Sequence, residues 1–138
     1  MQTYVEQLSI FLENKTGRLH EITQILADEG ISIDTINLVE AGDFGILRMI
    51  VADAAQTKRL LESRGISVKI TPVIVVEIGD RVGCFNRVVS LLEGIDIHYT
   101  YTINSQDIGA FVIKVAEGEL QRAVALLEAD GVVVKDAL

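Results

Sequence analysis

Leu12-Glu13-Asn14-Lys15-Thr16-Gly17-Arg18-Leu19 is the stretch that decides how this chain folds. Before it, Leu8, Ile10 and Leu12 alternate with Ser9, Phe11 and Glu13, the two-residue period of a strand. After it, Leu19, Ile22 and Leu26, with Ile25 beside them, recur at helical spacing. The period changes across Asn14 to Gly17, so a strand turns at once into a helix. Such a turn leaves backbone N–H groups unpaired at the helix start, and together with the helix dipole they suit a carboxylate or another anion. Gly17 lets a ligand approach the main chain closely, and the Asn14 amide can both donate and accept.

Outward from this turn, Asp28-Glu29-Gly30 closes the helix with a glycine. Ile31 to Val39 is expected as a strand, Ala41-Gly42-Asp43 as a turn, and Gly45 to Val51 as a second strand with Leu47, Met49 and Val51 on one face. Ala54 to Arg64 reads as a helix ended by Gly65, and Val68 to Thr71 as a short strand stopping at Pro72. The same order then begins again. Val73 to Ile78 is a strand, Gly79 to Gly83 a loop, and Phe85, Val88, Val89 and Leu92 mark a helix. Ile97 to Ile103 and Gly109 to Val115 are strands around a Ser105-Gln106-Asp107 turn, and Leu120, Ala123, Val124 and Leu127 form a helix before the strand Val132 to Val134.

Glycines align between the halves. Gly17 and Gly83 are 66 apart (83 − 17), as are Gly65 and Gly131, whereas Gly30 to Gly94 and Gly45 to Gly109 are 64 apart. The second half has therefore lost two residues near the end of its first helix and regained them later. This is an internal duplication, with residues 1–71 and 72–138 as the two domains. Each copy is βαββαβ, so the fold class is α+β: two tandem ferredoxin-like units, each a four-stranded antiparallel sheet with both helices on one face. Val73 to Val76 and Phe111 to Ile113 are apolar on both strand faces, which suits strands buried on both sides. The simplest expectation from this is that the bare sheet face packs against another sheet in a homodimer.

Composition narrows the function classes. Of 138 residues 49% are hydrophobic, enough for a core. Twenty acidic against twelve basic residues give a net charge of −8, which argues against nucleic acid and against anionic lipid as partners. No apolar run is long enough to span a membrane. Met1-Gln2-Thr3-Tyr4 does not begin a secretion signal, so a cytoplasmic location is expected. One cysteine precludes an internal disulfide and any Cys-rich metal cluster, and His20 and His98 stand apart from each other, so neither a metal nor a cofactor is expected.

Duplicated βαββαβ units with a glycine at each strand-to-helix turn resemble the ACT domain, a regulatory module that binds small ligands, usually amino acids. The family signature is Asn-x-Pro-Gly-x-Leu after the first strand, then a Gly-(Ile/Val)-(Asn/Asp/Ser)-Ile stretch leading into the second. The first copy reads Asn14-Lys15-Thr16-Gly17-Arg18-Leu19 and Gly30-Ile31-Ser32-Ile33; the second reads Asp80-Arg81-Val82-Gly83-Cys84-Phe85 and Gly94-Ile95-Asp96-Ile97. Thr16 and Val82 replace the usual proline, and Asp80 replaces the asparagine.

The resemblance implies that Asn14, Lys15, Thr16, Gly17, Arg18 and Leu19 contact an amino-acid ligand. The amides of Gly17, Arg18 and Leu19 would meet its carboxylate, while Asn14 and Ser32 would hydrogen-bond its polar atoms. Asp80, Gly83, Cys84, Phe85 and Asp96 are the matching set in the second copy. The first copy is favoured, because an Asp80 carboxylate would repel that of the ligand. The chain looks like a tandem ACT protein without a catalytic domain, in which a neighbouring unit closes each pocket. A metabolic enzyme is a possible partner, and the alternative function is a ligand-free subunit that regulates such an enzyme by docking alone.

Other motifs yield to simpler readings. Asp43-Phe44-Gly45 spells a kinase metal-binding tripeptide, but without the accompanying loops it is a hairpin turn. Cys84 lies at a helix start with no nearby histidine or second cysteine, which fits a small packed thiol. RNA-recognition modules share the βαββαβ topology, yet their base-stacking strand positions here hold Ile46 to Met49 and Val112 to Lys114. No nucleophile–base pair is placed together, so no enzyme is expected.

Overall fold

A computed structural model of the chain describes residues 3–13, 16–78, 82–104 and 109–138. Asn14, Lys15 and Asp80, three of the expected contact residues, lie outside the described residues. The elements are β1 (Val5–Glu13), α1 (Arg18–Asp28), β2 (Ile33–Ala41), β3 (Phe44–Val51), α2 (Ala54–Ser63), β4 (Val68–Ile78), α3 (Cys84–Leu91), β5 (Ile97–Asn104), β6 (Gly109–Val115), α4 (Leu120–Ala129) and β7 (Val134–Lys135). Contacts divide the chain into two units, Glu6–Thr71 and Pro72–Leu138, the second including residues up to Val5.

In the first unit the strand order is β2-β3-β1-β4, with β1 and β2 both antiparallel to β3. Leu8, Ile10 and Leu12 of β1 and Leu47, Met49 and Val51 of β3 point to one face, where Ile22 and Leu26 of α1 and Leu61 of α2 complete a buried cluster. This is the face expected from the alternation. The opposite face carries Phe11 beside Ile46 and Phe44 beside Glu13, by their register. Phe11 is 72% and Phe44 53% exposed.

In the second unit β6 lies between β4 and β5, and β7 flanks β4, all antiparallel. Ile74, Val76, Phe111 and Ile113 pack with Val88, Val124 and Leu127 in the corresponding cluster. Val73, Val75 and Val112, on the other face, are fully buried too. The two-sided apolar reading of these strands therefore holds, but the single chain already buries them. Their apolarity does not call for a second copy.

Two boundaries differ from the sequence expectation. Pro72 does not end a strand; β4 runs through it. Its pairing with β6 starts at Ile74, so that ladder asks no N–H of Pro72. β7 also starts later than Val132, because the Val132 N–H is spent on the carbonyl of Leu127 at 3.0 Å, closing α4. The Ile66 N–H does the same to Leu61 in the first unit, also at 3.0 Å. Gly65 and Gly131 precede these bonds with φ of 81° and 79°, the left-handed turn that glycine supplies without strain.

The length changes inferred from the glycine spacings can be located. α1 has 11 residues and ends at a left-handed Gly30 (φ 70°), whereas α3 has 8 and Gly94 is not left-handed. The lost residues are those of the last helical turn. They are regained between β6 and α4, where Ala116 to Glu119 stands in place of Ala52-Asp53. Asp53 caps α2 by accepting from the Gln56 N–H at 3.0 Å; Glu119 makes no such side-chain cap.

Candidate functional site

Gly17 precedes α1 with φ 86° and Gly83 precedes α3 with φ 88°, and neither helix start has a side-chain cap from that residue. At such φ values a side chain is strained, so the glycines set the sharp strand-to-helix turn. The first helical bonds run from Glu21 N–H to the Gly17 carbonyl (3.0 Å) and from Arg87 N–H to the Gly83 carbonyl (2.9 Å). The amides of Arg18, Leu19 and His20 thus precede the first turn's bond, as the sequence implied.

Above the first turn lies a groove of about 420 Å³. One wall is Leu12, Glu13 and the Gly17–Leu19 turn; the other is the β2–β3 hairpin, through Leu38, Val39, Glu40, Gly42, Phe44 and Gly45. The register explains the juxtaposition: Glu13 pairs with Phe44 and Leu12 with Gly45, bringing the hairpin beside the end of β1. A Cβ on Gly45 would come within 3.2 Å of Leu38 Cδ1, so a residue without a side chain keeps the hairpin wall close. A Cβ on Gly17 would meet nothing within 4 Å. Leu19 and Leu38 are partly exposed beside the groove. Arg18 is not a free cation, since its Nη1 lies 3.0 Å from Glu21 Oε1. The main-chain amides of the turn are donors in this part of the groove.

Thr16, Gly17, Arg18 and Leu19 are thus held together, but Ser32 is not with them. Ser32 adjoins Ile33, which pairs with Val51, at the end of β3 opposite Phe44. Seven residues of strand at ~3.3 Å each separate the two ends. Asp96 is displaced from Gly83 in the same sense, beside Ile97, which pairs with Val115, while Ile78 pairs with Gly109. Ser32 and the turn of one unit cannot share one small ligand. The hairpin wall was not foreseen from the sequence, although the topology placing β3 beside β1 contained the signal.

In the second copy Gly83 and Cys84 line a different cavity, between the first turn of α3 and the link from α4 to β7. Phe85 turns instead to Phe111, ring centroids 4.6 Å apart and edge to face. Among the described residues no group of three or more His, Cys, Asp or Glu side chains could hold a metal, and no described helix is long and apolar enough to cross a membrane.

Two βαββαβ units, each with a glycine-opened helix, define a tandem ferredoxin-like protein. A family model described as an ACT domain pair matches residues 3–138, and the chain belongs to that family. No curated protein matches it by sequence. Among solved structures, protein BT0572 from Bacteroides thetaiotaomicron is 33% identical with a TM-score of 0.88, over 96% of this chain and 92% of that one. The aspartokinase alpha and beta subunits are 21% identical with a TM-score of 0.61, over 93% of each chain. The ligand-free regulatory subunit of aspartate kinase from Thermus thermophilus is 18% identical, with a TM-score of 0.61 and the same coverage. At those identities the last two share the fold.

Proposed function

We propose that this protein is a regulatory, non-catalytic amino-acid sensor that modulates amino-acid metabolism, residues 1–71 and 72–138 being its two ACT domains. The observation that carries the reading is the groove over Gly17–Leu19, where an uncapped helix start faces the β2–β3 hairpin with Leu38, Val39 and Phe44 beside Glu40. The amides suit a carboxylate, and Leu19, Leu38 and Phe44 suit an apolar side chain. A thermal-shift screen of the common amino acids tests it. A ligand at 100 times its dissociation constant adds about 2.7 kcal/mol, raising the melting temperature by several degrees. Asn14→Ala should weaken the response, and Asp80→Ala should weaken it less. No shift with any amino acid would favour the ligand-free docking subunit instead.

The separation of Ser32 from the Gly17 turn supports a site completed by another unit, and exposed Phe11 and Phe44 are apolar surface that such assembly can cover. A homodimer is the simplest assembly, expected in light scattering as twice the 15.1 kDa chain mass. A monomer at micromolar concentration, with or without ligand, would remove it. Work in a cytoplasmic setting, beside a metabolic enzyme partner, belongs to this same reading.

A further inference from the structure

Gly45 is the second residue of β3 and is paired on both sides, a place where glycine weakens a strand and gives it nothing to pack. Its φ is not positive, so the backbone does not call for glycine there. What calls for it is space. Gly45 pairs with Leu12 of β1 and Glu40 of β2 and alternates with the core residue Leu47, so its bare Cα faces the α1 side of the sheet. A Cβ there would stand 3.2 Å from Leu38 Cδ1 and 3.7 Å from Leu12 Cβ, and all three residues line the groove over Gly17–Leu19. The glycine is a gap in the lining of that groove, between a buried leucine and a half-exposed one. A bare position in a strand is where a ligand can come close to the backbone.

The ionisable side chains of the described lining are Glu13, Arg18 and Glu40, and Arg18 is held by Glu21. An acidic ligand side chain would meet two carboxylates there, whereas an apolar one has Leu38, Val39 and Phe44 to lie against. Gly109 repeats Gly45 in the second copy (45 + 64), but the counterpart of Leu38 is Thr102 (38 + 64). The apolar wall beside the gap therefore belongs to the first copy.

We infer that Gly45 is the residue that sets ligand specificity in this groove: its missing side chain admits an amino acid with a large apolar side chain, of leucine to phenylalanine size, which lies over Gly45 against Leu38. This rests on the sensor reading of the groove and adds to it the class of ligand. If Gly45 served only to let the hairpin pack, a methyl group there would change stability, or would weaken every ligand alike.

Calorimetry on the full chain with alanine, leucine and phenylalanine tests it. Leucine should bind at least about tenfold more tightly than alanine. Gly45→Ala should fold, because the backbone there suits alanine and the flexible end of Leu38 can yield. It should weaken leucine about tenfold and leave alanine within about twofold, since the added methyl group occupies the room only the larger side chain uses. In a Leu38→Ala background, where the contact is relieved, Gly45→Ala should cost leucine about twofold or less, a coupling that a double-mutant cycle reads. Equal losses for alanine and leucine, no loss for leucine, or a tenfold loss kept in the Leu38→Ala background would each overturn the assignment. Tighter binding of aspartate or lysine than of leucine and phenylalanine would overturn it while leaving the sensor reading in place. Binding of no common amino acid would overturn both.

Discussion

Leu127→Ala and Leu61→Ala are each expected to lower stability by about 2–5 kcal/mol, read as a fall in the denaturant midpoint. Both leucines are fully buried, one against each sheet, in helices that the duplication relates (127 − 61 = 66). Each removal takes away apolar contact and leaves a cavity that the helix cannot collapse into, because it is held at its end by a bond from the residue after the glycine. The losses are large against the 5–15 kcal/mol typical of a folded domain. Two similar losses follow from two copies doing the same packing work. A loss below about 1 kcal/mol at either position would mean that the leucine is not a core residue.

Much of this packing could be read from residue order. The alternation of Leu8, Ile10 and Leu12 against the spacing of Leu19, Ile22 and Leu26 marks the change from β1 to α1, because each periodicity allows one buried face. The glycine spacings locate the shortened α3 and the lengthened loop before α4: Gly17, Gly83, Gly65 and Gly131 hold left-handed turns at a spacing of 66, whereas Gly94 does not share the left-handed φ of Gly30. Local signals failed where distant pairing decides. Pro72 looks like a stop until the β6 ladder is seen to begin beyond it. Val132 has the composition of a strand residue, but its N–H closes a helix. The hairpin wall of the groove depends on Glu13 pairing with Phe44, across 31 residues (44 − 13). The separation of Ser32 from Gly17 follows from the same sheet: the two stretches of the family signature lie at its two ends, with α1 between them. The Arg87–Asp130 contact spans two elements and leaves no local pattern.

The second large effect separates the two turns. Gly17→Ala and Gly83→Ala should destabilise the protein equally, by about 1–2 kcal/mol, since both residues sit at φ near 87° and a Cβ would meet no neighbour at either place. The cost is the left-handed backbone alone, and both variants should fold. Their effects on an amino acid found by the thermal screen should diverge. Gly17 lines the groove bounded by Leu38 and Phe44, so the new methyl group is expected to cost the neighbouring amides their close approach to a ligand. A tenfold or greater loss of affinity, about 1.4 kcal/mol, is expected by calorimetry. Gly83→Ala adds its methyl group beside Cys84 and Arg87, in the other cavity, and should leave that affinity within twofold. The comparison removes stability as an explanation, because both variants carry the same backbone strain. Equal losses of affinity would show that the Gly17 amides do not hold the ligand, whatever the melting temperatures.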